Sequence, residues 1–313
     1  MQTSAKPNAR RRAGTARLGA YLLFVALVLG LCALALALSK PKKETGARPV
    51  PAATAQAAQN TPQSATDTGP GLDQGTLILV NGNHSIDADG WELVTVYAEK
   101  SDAYLVKDTE LAVRREVMPW LDRWLSDFAA ATGVRDVNVV AGHRTAAYQQ
   151  QLYQSALVRE GQTYADTYLA RPGHSEHHTG LAVDLDTYDV SSGASYGFDG
   201  NGDYAWLTEN AWRYGFILRY PPEKADVTGI GYESWHFRYV GIPHAWYMQE
   251  NNLCLEEYLD LLRAHGPEDP LLIDTPLGRW QVFFSPAEAL RLPEGDYEIS
   301  GDNDGGYVVT QAK

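Results

Sequence analysis

Ser175-Glu176-His177-His178-Thr179-Gly180-Leu181-Ala182-Val183-Asp184 is the stretch on which the reading of this chain turns. Strand alternation through Leu181-Ala182-Val183-Asp184-Leu185 puts Ala182 and Asp184 on one face and the three larger apolar residues on the other. Gly180 permits a sharp turn, so His177 can fold back over the strand end, and Ala182 is small where space is needed. Downstream, Glu233-Ser234-Trp235-His236 presents His236 between two aromatic neighbours, as a strand does. His177, Asp184 and His236 are ligands of the type zinc accepts. Three protein ligands leave a fourth position open, the composition of a catalytic rather than a structural zinc site. Glu233 is three residues from His236, so a regular strand would put the two on opposite faces; Glu233 must lie in the turn before the strand. By spacing alone, a metal centre and a set of ordinary surface or hydrogen-bonding residues both remain open.

Around this centre the chain divides by composition. Residues 1–17 are basic, and Leu18 to Leu38 then run without a charge, long enough to cross a bilayer as a helix. With the positive flank first, the expectation is a single-pass anchor with a cytoplasmic N-terminus and an exported body. Ala35-Leu36-Ala37 offers the rival reading of a cleaved signal peptide and a secreted body. Residues 39–75 are Ala, Thr, Gln, Pro, Ser and Gly with few large apolar side chains, a flexible tether. Residues 76–265 hold the motifs and form the expected catalytic domain; residues 266–313 read as a small β extension of short strands separated by Pro and Gly.

The chain carries a net charge of -13, and residues after 43 hold 18 Lys and Arg against 39 Asp and Glu. Such a body argues against nucleic acid or anionic lipid as a partner of the folded part. The two cysteines, Cys32 and Cys254, leave no disulfide framework and no Cys-rich zinc site. Asp199, Asn201 and Asp203 alternate like a calcium loop, but Tyr204 stands at the glycine position and Asn210 at the bidentate glutamate position, which excludes an EF-hand. Apolar periodicity predicts a helix from about Glu110 to Thr132, with Pro119 kinking it or opening a second segment. Further helices are expected over Ala146–Glu160, Trp206–Phe216 and Ala245–Ala264, and extended segments at Thr76–Val80, Trp91–Tyr97, Val137–Val140, Ile217–Tyr220 and Trp235–Val240.

Ser175, His177, Gly180, Ala182 and Asp184 fill every fixed position of S-x-H-x-x-G-x-A-x-D, and Glu233-Ser234-Trp235-His236 resembles the companion motif E-P-W-H. On these residues the chain resembles the D-alanyl-D-alanine carboxypeptidases of the VanY type, within the LAS group of zinc peptidases. Ala141-Gly142-His143-Arg144-Thr145 is similar to the family's S-G-Y-R-S segment, with the arginine kept and its flanks changed. The resemblance runs from about Leu77 to Ala264. It implies an α+β fold with a central, mostly antiparallel sheet flanked by helices, and one zinc ion per chain held by His177, Asp184 and His236. It implies Glu233 as catalytic acid and base, Arg144 as a fixed positive charge near the substrate carboxylate and the tetrahedral intermediate, and Ser175, Gln149 and Tyr220 as contacts to a terminal D-alanine. The substrate would be a peptidoglycan stem peptide. An L,D-carboxypeptidase, a D,D-dipeptidase, a cross-bridge endopeptidase or a non-catalytic wall-binding relative would carry the same motifs.

Overall fold

The computed structural model describes residues 69–87 and 90–313. The basic tail, the apolar run Leu18–Leu38 and the tether up to residue 68 lie outside the described residues. Among the described residues, no helix is long and apolar enough to cross a membrane.

The fold is α+β of the LAS type. Its central sheet runs β2 (Leu105–Val106), β4 (Val137–Ala141), β5 (Ala182–Asp189), β8 (His236–Tyr239), β7 (Phe216–Leu218), with β6 (Ala194–Gly197) pairing the far half of β5. Only the β2–β4 pair is parallel; the other pairs are antiparallel. One face of this sheet is apolar and is covered by α1 (Met118–Thr132). Leu121, Trp124, Leu125 and Phe128 of α1 meet Val139, Leu181, Val183, Leu185, Phe216 and Phe237 in a single cluster. Trp124 lies between Phe216, with ring centroids 5.1 Å apart, and Phe237, 4.8 Å away edge-on. The opposite face carries the polar residues of the motif.

The start of α1 departs from the periodicity of the sequence. Residues 112–114 form β3 (Ala112–Arg114), antiparallel to β1 (Leu93–Thr95), and the helix begins only at Met118. Pro119 sits in its first turn, where a missing N–H costs nothing, and Gly133 ends it with φ 80°. The expected helix Ala245–Ala264 divides into α5 (Ile242–Asn251) and α6 (Leu255–Leu262). Asn252 at φ 52° closes the first, and Cys254 with Glu257 forms a capping box for the second. The expected helix Trp206–Phe216 is shorter too. It forms α4 (Ala205–Asn210), continues as a 3-10 turn at Ala211–Tyr214 and stops at Gly215.

Beyond Gly266, β9 (Leu271–Thr275), β10 (Gly278–Pro286), β11 (Glu298–Gly301) and β12 (Gly306–Ala312) form a sheet of order β11-β12-β10-β9. This sheet shares a core with what precedes it. Ile273, Val282 and Val308 cluster with Leu77, Leu79, Met248, Leu255, Leu259 and Leu262. The segment Thr76–Val80 is extended but joins no sheet. Its N–H groups go to the C-terminal module, Leu77 N–H to Ser300 Oγ (2.9 Å) and Leu79 N–H to Asp302 O (3.1 Å). The carbonyls of Thr76 and Ile78 accept from Arg238 Nη2 at 2.9 Å each. Residues 69–75, which composition assigns to the tether, are attached as well: Gly301 N–H donates to Gln74 O, Asn303 N–H to Leu72 O, and the Tyr307 hydroxyl to Pro70 O. His244 of α5 joins three elements, with Nδ1 2.8 Å from the Tyr258 hydroxyl of α6 and Nε2 3.2 Å from Thr310 Oγ1 of β12.

Removing residues 266–313 would uncover this shared core. The truncated chain is expected to aggregate or lose its cooperative melting transition, checked by size-exclusion chromatography and calorimetry; a monodisperse product with unchanged Tm would show that the module stands apart. His244 gives a pH prediction. Burial pushes its pKa from 6.5 down to about 3, so between those values the unfolded chain binds a proton that the folded chain does not. Stability therefore falls as pH is lowered through that window. His244→Gln should flatten the fall by up to one proton, about 1.4 kcal/mol per pH unit, in urea titrations from pH 7 to 4.

Candidate active site

β5 and β8 pair in the register Ala182↔Arg238, Val183↔Phe237, Asp184↔His236. Directly opposed residues point to one side of a sheet, so Asp184 and His236 stand together on the polar face. His236 Nδ1 lies 2.8 Å from Asp184 Oδ1. Ala182 leaves room on this face for its cross-strand neighbour, the fully buried side chain of Arg238.

His177 arrives from a separate element, the 3-10 turn Glu176–Thr179, which Gly180 closes in the left-handed region at φ 68°. A Cβ on Gly180 would also stand 3.0 Å from Arg114 Cγ and 3.3 Å from the Arg114 nitrogen. His177 Nδ1 is 2.7 Å from Gly142 O, which turns Nε2 towards Asp184 Oδ2 at 3.2 Å. The carbonyl is held there because Gly142 presses against β3, where an added Cβ would come within 2.3 Å of Ala112 O. The two imidazoles cross nearly at right angles, 81°, with centroids 4.9 Å apart.

One ligand atom from each of His177, Asp184 and His236 lies within 4.8 Å of the others, and all three residues are buried. Two nitrogens and one carboxylate oxygen fit a divalent ion of the zinc type. Zinc bonds of about 2.0–2.1 Å at tetrahedral angles set donors roughly 3.3 Å apart, and one donor from each residue here lies within 4.8 Å of the other two. Burial alone would raise the Asp184 carboxyl, yet His177 and Arg144 outweigh it and hold the group well below the usual carboxylate range. The same burial pushes His177 down to about 4, whereas at His236 the contacts with Asp184 and Glu176 outweigh burial and raise the ring to about 9.

Glu233 stands before the two-residue turn that leads into β8, as its spacing from His236 requires. Its N–H donates to Tyr220 O (3.2 Å), and its Oε2 is 3.9 Å from His236 Nδ1. Burial pushes its carboxyl up to about 7, an effect that His236 reduces and Asp184 adds to. Arg144 follows β4; its N–H donates to His177 O, and its Nη2 reaches Asp184 Oδ2 at 2.5 Å. His178 fixes the arginine backbone, with Nδ1 2.7 Å from Arg144 O while Nε2 accepts from Gly173 N–H.

The remaining expected residues are placed less directly. Tyr220 packs its ring 4.9 Å from that of His236, tilted by 32°. Ser175 is buried at the start of the 3-10 turn, and its carbonyl accepts from His178 N–H. Gln149 of α2 (Ala146–Glu160) is buried, its amide nitrogen donating to Ala170 O while its Oε1 has no partner among the described residues.

Beneath the trio is a cluster the motif reading did not single out. Glu176 is fully buried and its Oε1 accepts from Arg219 Nε (2.8 Å) and Arg238 Nη1 (2.7 Å). Arg219 makes a bidentate pair with Glu256 of α6, at 2.9 and 2.7 Å. The signal was present as charge where none is expected, Arg219 and Arg238 lying within apolar strand runs.

The family model of the VanY D-alanyl-D-alanine carboxypeptidases matches residues 111–242. A D-alanyl-D-alanine carboxypeptidase of Enterococcus faecium is 33% identical over 256 residues, covering 79% of this chain and 78% of that protein. The bifunctional D-Ala-D-Ala dipeptidase and D-Ala-D-Ala carboxypeptidase VanXYC of Enterococcus gallinarum is 35% identical over 190 residues, covering 60% of this chain and 95% of that protein. Among solved structures, the vancomycin resistance D,D-dipeptidase VanXYg in complex with a D-Ala-D-Ala phosphinate analog is similar at a TM-score of 0.68 and 31% identity, covering 77% of this chain and 95% of that one. With the motif residues converging at one site and relatives matched over most of their length, the chain belongs to the VanY family of D-alanyl-D-alanine carboxypeptidases.

Proposed function

We propose that this chain is a zinc-dependent D,D-carboxypeptidase that removes the C-terminal D-alanine from peptidoglycan stem peptides. One zinc ion per chain would be held by His177, Asp184 and His236. The observation that carries this reading is the convergence of those three donors within 4.8 Å, with the Glu233 carboxylate 3.9 Å from His236 Nδ1.

Zinc bound there would bring the pKa of a coordinated water towards ~7 and polarise the scissile carbonyl. Glu233 takes the proton of the attacking water and returns it to the nitrogen of the departing D-alanine. Its place beside His236, with Oε2 3.9 Å from Nδ1, supports that role, because a general base must stand within reach of the water it deprotonates. Arg144 holds Asp184 in place through Nη2 and turns the rest of its guanidinium to the substrate carboxylate and the developing oxyanion. Ser175, Tyr220 and Gln149, whose Oε1 has no partner among the described residues, would contact the terminal D-alanine. The basic tail and apolar run at the N-terminus support an anchored, extracytoplasmic enzyme, on the side of the membrane where such peptides lie.

The bifunctional relative and the dipeptidase-like structure favour a second reading, cleavage of free D-Ala-D-Ala. Incubation of the purified protein with a pentapeptide stem, a tetrapeptide stem and D-Ala-D-Ala, with products weighed by mass spectrometry, separates the readings. The expected result is loss of one D-alanine from the pentapeptide. Glu233→Ala should lower turnover by roughly 10²–10⁴-fold while one zinc per chain is retained, and a chelator should abolish activity that zinc restores. Unchanged turnover in Glu233→Ala, or wild-type protein without stoichiometric zinc, would exclude this mechanism.

A further inference from the structure

The carboxylate of Glu176 divides its work. Both arginines converge on Oε1, and Oε2 is left facing the imidazole of His236, 3.5 Å from Nε2. Oε2 and His236 Nε2 are each buried without a hydrogen-bond partner among the described residues. A buried carboxylate oxygen and a buried imidazole nitrogen are complementary, and an orphaned pair of this kind is costly unless it closes. A shift of about half an ångström brings the two into hydrogen-bond range. Counter-ion duty alone would not orient Glu176 this way. Arg219 and Arg238 are matched by Glu176 and Glu256, so the four charges already cancel, and Oε1 alone meets the donors that the arginines direct to Glu176.

We infer that Glu176 is a positioning residue for the metal centre, accepting the Nε2–H of His236 and so committing Nδ1 to the ion. The inference rests on the zinc reading given above. It follows from the two ends of the ring: Nδ1 faces Asp184 Oδ1 at 2.8 Å, and Nε2 faces Glu176. An imidazole that must bind metal through Nδ1 has to carry its proton on Nε2, and a carboxylate acceptor there fixes that tautomer and raises the basicity of the ligating nitrogen. His177 is held in the complementary sense, its Nδ1 against the Gly142 carbonyl and its Nε2 towards the ion. The two histidines therefore ligate through different nitrogens, one steered by a backbone carbonyl and the other by Glu176. Glu176 precedes His177 in sequence, so one 3-10 turn supplies one ligand and orients another from a strand about sixty residues away.

Zinc affinity of the full chain, measured by chelator competition, tests this in wild type and Glu176→Gln. The amide keeps the shape and can still accept from both arginines through its oxygen, but it places an NH2 group against Nε2. Affinity should fall 10–100-fold, and the visible spectrum of the cobalt-substituted protein should shift, with Glu176→Asp recovering part of the loss. Affinity within about threefold of wild type, with only Tm lowered, overturns the proposal and leaves Glu176 as a counter-ion. Wild type that binds no zinc overturns the zinc reading as well, so the two failures are told apart. Should Glu176→Gln not fold, the zinc-loaded wild type decides through long-range 1H–15N correlations of His236. The remaining proton on Nε2 supports the assignment; a proton on Nδ1, with Nε2 on the metal, overturns it.

Discussion

The pairing of Asp184 with His236 across β5 and β8 is the constraint on which the site depends. Side chains alternate along a strand, so sliding either strand by one residue would turn its ligand into the apolar face and leave the partner alone. That register is fixed from the other side of the sheet. Val183 and Phe237, opposed in the next rung, are buried against Trp124 and its neighbours on α1. Burial of several apolar side chains, at about 25 cal/mol per Å² of surface removed from water, thus sets the placement of two polar groups that burial alone would disfavour.

Those polar groups are held within a continuous charged network. Asp184 meets both histidines and Arg144, and His236 faces Glu176, which lies between Arg219 and Arg238. Replacing such a network with hydrocarbon is often neutral or stabilising in other proteins, so stability is a poor account of its presence. Its directionality is a better one. The two oxygens of each carboxylate face different groups, Asp184 Oδ1 towards His236 and Oδ2 towards His177 and Arg144, and such contacts orient rings that an apolar lining would leave free to turn.

Much of this could be read from the sequence where local chemistry decides. The histidine-to-aspartate motif encodes a turn, a glycine in the left-handed region and a half-polar strand, and these dictate the geometry around His177 and Asp184. The placement of Glu233 followed from the incompatibility of a three-residue spacing with one face of a strand. What escaped reading depends on distant partners. Val113 and Val117 fit a helical period, yet residues 112–114 pair with β1 and the helix begins only at Met118. Glu176 occupies a variable position of the motif, and only folding brings Arg219 and Arg238 to it. The short strand β9 hid in a Pro-flanked apolar run, and the attachment of residues 69–80 to the C-terminal sheet depends on contacts such as that of Leu77 with Ser300.

That attachment has a mechanical consequence. The chain leading to the catalytic sheet first lies along the last sheet of the protein, bonded at Pro70, Leu72, Gln74, Leu77 and Leu79 before it goes further. A pull on the polypeptide upstream of Pro70 would load several of these bonds side by side, together with the apolar seam around Leu77 and Leu79. Tension entering there would meet these bonds before it reached β5 or β8.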